Sequence, residues 1–442
     1  MTIRKITSHD GTRICNDITD GQIRRSCIMD IPTEVLVENI LMKLPLKSLV
    51  SCKRVCKSWR NLILNPQFGK MHYSVQPKYT SLLIQDNGFF YLMEQPEDEF
   101  SYKLRNRSEI ELNSTRLKIP LFSTHVNVFN SVSQDPDDHP QGKNILINRF
   151  MKPEDQKYQI LNSLNGLLCL AAGQSKEPVA VCNPVVGEFM ALPVRPRIDQ
   201  SHRQIKYEVF RTCGLGFSQK HNQYKVIRTF DLYLAKDPDS CDFTNQGTWG
   251  EVLTLETGSS WKSVGSAPNT RELRMLHSPT YIHGALHWLS NSMNNNSIAY
   301  FDFDTDNFGF HSLPPLRYLK RTPLLTISIL ENCLCLCDFT SYCYIDVWIM
   351  KEYGVSKSWT KLLSVDIIRQ GYCCGYYIPL SYSIERGTLL LFHSCNALIY
   401  YNLELLYVRN FQVCGPHEFE FQAIVHTPSL ISLKDIANSR YR

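Results

Sequence analysis

The chain has 442 residues, of which 43% are hydrophobic, 11% aromatic and only 20% charged. That length and balance exclude a peptide that needs staples and a largely unfolded chain, and they leave room for two or more folded units. A formal charge of +5 over such a length gives no global case for nucleic-acid or membrane binding, so either case must rest on a local cluster.

No run of about 18 uncharged apolar residues occurs. The best candidate, "LLTISILENCLCLC", is interrupted by Glu331 and Asn332, which argues against a membrane span. The opening "MTIRKITSHDGTRICNDITD" mixes both charge signs and lacks the apolar segment of a secretory signal. A cytoplasmic or nuclear location is therefore expected, where the 16 cysteines are simplest as reduced, buried small side chains.

Residues 1–28 are polar and without pattern, and are expected to be a flexible N-terminal tail. From Asp30 to Phe68 the periodicity is helical. Pro32 suits a first turn, where its missing N–H needs no partner, and Asp30 and Glu34 sit where the helix dipole favours anions. Leu36, Ile40, Leu41 and Leu44 make one apolar stripe, ended by Pro45. A second helical pattern carries Leu46, Leu49 and Val50, and a third carries Val55, Trp59, Leu62 and Ile63, with Asn65-Pro66 read as the break. Three short helices in a stretch this small cannot enclose much core, so part of their apolar surface is expected to be covered by a partner.

After about residue 75 the pattern changes to short alternating or apolar runs rich in Val, Ile, Tyr, Phe and Trp, punctuated by Gly, Asn, Asp and Pro. An apolar strand opening on Gly or Asn recurs: "GLLCL" from Gly166, "GALHWL" from Gly284, "NCLCLC" from Asn332 and "GTLLLF" from Gly387. "GLGFSQKHNQYKVIRTF" from Gly214 fills the long first gap, and "TSLLIQDNGFFYLME" from Thr80 begins an earlier unit. Turns at Asn183-Pro184 and at 304–307 lead from one strand to the next within a unit. Several strands per unit at a period of roughly 50 residues predict a β-propeller of about six blades, with "QAIVHTPSLISL" returning to close the ring. The irregular spacing keeps a β-sandwich pair as the alternative. The fold class is thus α+β and multidomain: a small three-helix domain over 29–70, a large all-β domain over 75–432, and a C-terminal tail over 433–442.

Chemistry-bearing clusters each have a plain structural reading. Cys333, Cys335 and Cys337 alternate, which places them on one face of a strand without the paired spacing of a zinc site. His283 and His287 flank a strand-like "GAL" and are read as structural. Asp302, Asp304 and Asp306 are followed by Phe308 and Phe310 where a calcium loop needs oxygens, so they read as a polar turn. No GxSxG, Walker A or HExxH motif occurs, and the expectation is a non-catalytic chain with no cofactor or metal. The basic residues Lys43, Lys47, Lys53, Arg54, Lys57 and Arg60 read as the solvated side of the helices. Trp59 falls on the apolar stripe, so aromatics do not interleave with the charges as nucleic-acid binding would want.

Taken whole, "MDIPTEVLVENILMKLPLKSLVSCKRVCKSWRNLILNPQF" resembles the F-box, the short helical motif that joins adaptors to cullin-RING ubiquitin ligases. Ile31 stands where that family commonly has Leu, a swap that still fills an apolar pocket. The rest resembles the F-box-associated, kelch-like region of plant F-box proteins, most tellingly in "YIHGALHWL" and "CNPVVGE". The resemblance implies docking on a Skp-type adaptor through Ile31, Pro32, Leu36, Ile40, Leu41, Leu44, Pro45 and Leu49, with Val55 and Trp59 anchoring the helical core or extending the contact. It implies a substrate-receptor subunit of an SCF-type ligase, with an unknown protein substrate on the β domain and no nucleic-acid or membrane partner. A β-domain enzyme or glycan-binding lectin carrying a degenerate F-box is the alternative.

Overall fold

The computed structural model describes residues 32–75, 81–86, 89–93, 109–111, 116–117, 158–172, 177–193, 206–235, 243–269, 279–292, 295–316, 324–341, 343–366, 375–383, 385–394, 397–404, 407–414 and 421–438. The expected N-terminal tail, Ile31 and the polar stretch "SQDPDDHPQGKN" lie outside these residues. The chain divides into two units, 1–44 and 45–442.

In the first unit, a continuous helical run (α1) is built from an α-turn Thr33–Val35, a π-turn Leu36–Ile40 and a 3₁₀ turn Leu41–Lys43. The Pro32 carbonyl accepts the Leu36 N–H at 3.0 Å, so the proline stands at the helix start, where it costs no hydrogen bond. Leu36, Leu41 and Met42 are buried.

The second unit begins with three helices, α2 (Leu46–Cys52), α3 (Lys57–Ile63) and α4 (Pro66–Val75). The sequence reading ends the helices at Asn65-Pro66, and here the structure differs. Asn65 is an N-cap whose side-chain oxygen accepts the Gln67 N–H at 2.9 Å, while its carbonyl accepts the Gly69 N–H at 3.1 Å. Pro66 is then the first helical residue, where its missing N–H costs no helix hydrogen bond.

Among the described residues twenty-five strands follow, in six sheets that form the blades of a propeller. Blade 2 holds β5 (Tyr158–Leu164), β6 (Leu167–Ala172), β7 (Pro178–Asn183) and β8 (Glu188–Ala191). Blade 3 holds β9 (Lys206–Ser218), β10 (Gln223–Ala235), β11 (Phe243–Thr254) and β12 (Lys262–Ser266). Blade 4 holds β13 (Thr280–Ile282), β14 (Ala285–Ser292), β15 (Asn295–Asp302) and β16 (Asn307–Ser312). Blade 5 holds β17 (Leu325–Leu330), β18 (Cys333–Asp338), β19 (Tyr344–Met350) and β20 (Trp359–Asp366). Blade 6 holds β21 (Tyr377–Ser383), β22 (Thr388–His393), β23 (Ala397–Asn402) and β24 (Tyr407–Cys414).

Blade 1 closes the ring. Its order is β25 (Phe421–His426), β1 (Ser81–Asp86), β2 (Phe89–Met93) and β4 (Arg116–Leu117), so the last strand of the chain pairs antiparallel with the first. Pairing β25 with β1 completes the first blade with a strand from the far end of the propeller and so ties the ring shut. A second tie comes from β3 (Glu109–Glu111), which joins the outer edge of blade 6 in parallel to β24 before the chain adds β4 to blade 1. Apolar clusters fill the seams between neighbouring blades, and one of them runs continuously through blades 5, 6 and 1. Leu83 packs with Ile160, Val181 with Leu215, Phe301 with Ile227, Leu325 with Ile298, and Cys337 and Leu391 with Leu82.

The repeated "Gly/Asn plus apolar run" is the first hairpin of a blade. Asn165 and Gly166, His283 and Gly284, Glu331 and Asn332, and Gly387 all sit at positive φ immediately before the second strand. Left-handed backbone at both turn centres matches the twist of a two-residue hairpin, which is why Asn and Gly recur there.

Residues 433–442, read from the sequence as a tail, contain a further helix, α5 (Leu433–Ala437). Ser432 caps it, accepting the Asp435 N–H, and Leu433 and Ile436 are buried in the cluster between blades 2 and 3. One and a half turns are too short for helical periodicity to register in a sequence.

Candidate functional site

The ten residues predicted to dock a partner are treated differently by the fold. In the first unit Leu36 and Leu41 are buried, Ile40 and Leu44 are half-buried, and Pro32 is exposed. In the second, Leu49 and Trp59 are buried, Pro45 is exposed, and Val55 stands 56% exposed. The buried members serve the chain's own packing and shape the backbone that presents the rest. Val55 follows α2 and precedes the cap of α3, where the Cys56 sulfur accepts the Trp59 N–H at 3.4 Å. Cys56 is thus a helix cap as well as a packing residue. With Trp59 and Ile63 turned inward, α3 directs Arg60 and Lys57 outward.

Sequence reasoning missed three exposed apolar residues beside this set. Leu64, Met71 and Val75 stand 41–61% exposed, the last two one helical turn apart on α4. The signal was available: Met71 and Val75 are spaced by four, but the reading of Pro66 as a break removed the helix that places them on one face. Of the basic residues, Arg54, Lys57 and Arg60 are exposed and Lys53 is half-buried. Loss of water first, and Arg60 second, draw the Lys53 ammonium below its usual range.

The propeller uses its chemistry-bearing residues internally. The Arg228 guanidinium, 1% exposed, donates twice to Glu251 at 2.9 and 2.6 Å and lies 3.9 Å from the Trp261 ring centroid. Lys225 reaches from blade 3 to the Phe303 carbonyl at 3.0 Å and to Asp306 at 2.7 Å. Asp304 accepts the Ser218 hydroxyl at 2.6 Å, and Asp302 accepts the Asp304 and Thr305 N–H groups. Asp304 and Asp306 therefore fasten the β15–β16 turn to blade 3, while Asp302 shapes the turn itself. His287 is buried with Nδ1 at 3.2 Å from the Thr280 carbonyl and Nε2 at 2.9 Å from the Tyr353 hydroxyl. His283 lies in the preceding turn rather than on the strand, and its ring sits tilted against Tyr353 at 4.7 Å between centroids. Cys335 and Cys337 are fully buried, and burial pushes the Cys335 thiol up to about 12. Among the described residues no group of three or more His, Cys, Asp or Glu side chains is placed to hold a metal, and no helix is long and apolar enough to cross a membrane.

Exposed apolar residues on helices with polar surroundings are suited to protein contact, and comparison with known proteins agrees in kind. The F-box domain family matches residues 28–71, and the F-box associated beta propeller domain family matches residues 115–433. The chain is 25% identical to the F-box protein CPR1 of Arabidopsis thaliana, covering 93% of this chain and 92% of that one. It is also 25% identical to the F-box/kelch-repeat protein At3g23880 of the same plant, covering 84% of this chain and 90% of the relative.

Proposed function

The chain belongs to the F-box-associated β-propeller family, an F-box substrate adaptor by domain composition, and from that premise we propose that it is the substrate receptor of an SCF-type ubiquitin ligase. In this reading the F-box docks on a Skp-type adaptor, and through it on a cullin-RING ligase. The residues proposed to meet the adaptor are Ile31, the exposed Pro32 and the half-buried Ile40 and Leu44 of the first unit, and the exposed Pro45 and Val55 of the second, while the buried Leu36 and Leu41, and Leu49 and Trp59, hold the shape of their own units. The propeller holds a protein substrate for ubiquitination and proteasomal degradation. The chain supplies proximity, and the bond-forming chemistry belongs to other subunits. The reading gives the substrate the propeller face opposite the turns on which α4 and α5 pack in blades 2 and 3. Cytosol and nucleus are the compartments this reading gives the chain.

The observation that carries the proposal is the union in one chain of a six-blade propeller with helices that leave Val55 56% exposed. Pocket-filling aliphatic side chains flanked by polar residues are suited to be interface hot spots. The test is capture of a Skp-type adaptor by the full chain and by the double substitution Leu44→Ala/Pro45→Ala. Capture by the wild type and its loss in the variant is the expected result. Equal capture by both, or none by either, overturns it.

A further inference from the structure

One helix of the F-box region is not free to move against the propeller. Gly69 lies inside α4, where glycine costs about 1 kcal/mol relative to alanine. The reason is proximity: a Cβ at this position would stand 2.5 Å from the Leu430 carbonyl oxygen. The segment that follows β25 therefore runs against the backbone of α4 itself. One residue along, Lys70 pairs with Asp435 of α5 at 3.1 Å. Three residues further, the Tyr73 hydroxyl donates to the Asn165 side chain at 3.0 Å, and Asn165 donates on to the Tyr224 hydroxyl at 3.0 Å. Tyr73 packs against the cluster that contains Ile431, Leu433 and Ile436.

The other side of the segment is fastened to blade 2. Asn183 donates to the carbonyls of Ser429 and Ile431 at 3.1 and 2.8 Å, while its oxygen accepts from Val185 in its own turn. The Ser429 hydroxyl, buried, donates to the Asn165 carbonyl at 2.6 Å. Glu188 accepts from the Ser432 hydroxyl at 2.9 Å and from the Leu433 N–H at 2.6 Å. The end of α5 reaches blade 3, where the Ala437 carbonyl accepts from both the N–H and the hydroxyl of Thr257 at 3.0 Å. Gly166 is again required by closeness, since a Cβ there would meet the Ser429 nitrogen at 2.6 Å. Residues 427–438 thus lie between α4 and the turns of blades 2 and 3, bonded to both.

We infer that residues 427–438 are a clasp that fixes α4 on the propeller, and that Gly69 and Lys70 are positioning residues for ubiquitin transfer. The inference rests on the ubiquitin-ligase reading given above. A receptor that works by proximity has to hold the two ends of its bridge at a set distance and angle, because a freely pivoting propeller spreads its cargo over many orientations. Here the same chain end that closes the ring at β25 goes on to lock the helix. Ring closure and helix placement are therefore one cooperative event.

Two readouts on the full chain separate the physical coupling from its use. In hydrogen exchange, the amides of α4 and 433–437 should exchange as slowly as those of blade 2, and Gly69→Val should speed both by at least about tenfold while blades 4 and 5 keep their rates. Unchanged exchange in Gly69→Val overturns the clasp. Lys70→Glu, which sets two carboxylates against each other, gives a milder version of the same effect, and Lys70→Glu/Asp435→Lys should reverse it. This pair decides the matter if Gly69→Val does not fold. The second readout uses a reconstituted complex with a Skp-type adaptor, a cullin-RING ligase and a charged ubiquitin-conjugating enzyme, mapping which of the chain's own lysines are modified. Wild type and the swapped pair should be modified on a narrow set, and Lys70→Glu on a broader one, at equal adaptor capture. An identical pattern in all three overturns the positioning role. Failure of the wild type to capture the adaptor overturns the ligase reading and the positioning role with it, while the exchange result still decides whether the clasp exists.

Discussion

The propeller and the helical region place large side chains by different rules. Among the described residues eleven large apolar side chains are prominently exposed, and five of them, Val35, Val55, Leu64, Met71 and Val75, fall within 35–75, out of proportion to that stretch's share of the described residues. The propeller, by contrast, buries even its charges, as with Arg228 at 1% and Lys225 at 5% exposure. A ring of blades completes its own core because each sheet has a neighbour on both sides. Short helices have an inner face that the chain can cover and an outer face that it cannot. The difference teaches where a substitution should cost stability and where it should cost binding.

The largest expected effect lies in the propeller. Removing one partner of a buried ion pair leaves an uncompensated charge, so Arg228→Met should lower unfolding stability by about 3–5 kcal/mol. Replacing Arg228 and Glu251 together, Arg228→Met/Glu251→Leu, should recover part of that loss, because of the two carboxylates that face the guanidinium only Glu177, 3.6 Å away and partly exposed, then remains. Denaturant unfolding of the two variants checks the claim. If the double variant is as unstable as the single one, the stacking of the guanidinium on Trp261, rather than the ion pair, holds this seam.

Next comes acid. Burial, with His311 as the second cause, lowers His287 to about 3, and burial lowers His426 to about 4. The groups around His287 are His311, His283, Tyr300 and Tyr353, none of which supplies a negative charge at neutral pH. His426 contacts Ser163 through Nδ1 at 2.8 Å. For both histidines the folded value lies below the unfolded one, so the unfolded chain binds more protons as pH falls below about 6.5, and stability falls with it. The loss should begin near that pH and reach about 2 kcal/mol for each group by pH 5. Thermal unfolding between pH 7 and 5 measures it, and His426→Gln should flatten the slope by about one proton. A melting temperature independent of pH over this range would contradict the burial of both rings.

Much of this division can be read from the sequence, and its gaps have physical causes. The turn residues of "NGLLCL", "HGALHWL" and "NCLCLC" disclose the blades, because a left-handed turn selects Asn or Gly wherever it occurs. The closing strand is legible for the same reason of pattern, an apolar run left over after the last complete unit. Two elements were hidden. Pro66 reads as a breaker unless the cap before it is recognised, and α5 is shorter than the period that would reveal it. At the docking surface, spacing finds the apolar set but cannot divide it. Val55 and Trp59 look alike as members of a stripe four apart, yet the fold buries the second and leaves the first 56% exposed, a choice made by tertiary packing rather than by spacing. Arg228 is the opposite case. In "YKVIRTF" it looks like a strand's solvent-facing charge, and its burial depends on Glu251 and Trp261, which are distant in sequence.

The smallest effect on stability should accompany the most selective effect on binding. Val55→Asp places a charge on a side chain that the chain leaves 56% exposed, so no buried contact is lost and unfolding stability should stay within about 0.5 kcal/mol of wild type. If the surface docks an adaptor, burying that carboxylate against an apolar partner leaves it without water or a counter-charge, and capture should weaken at least about tenfold, the equivalent of 1.4 kcal/mol. Trp59→Ala reverses the pattern. It empties a buried site, costs about 3–5 kcal/mol, and loses capture only because α3 is no longer held. Parallel measurement of denaturant midpoint and adaptor capture therefore distinguishes a surface that binds from a core that supports it. A Val55→Asp chain that folds and captures as wild type would remove Val55 from the docking surface and leave Pro32 and Pro45, the other exposed members of the set, to carry it.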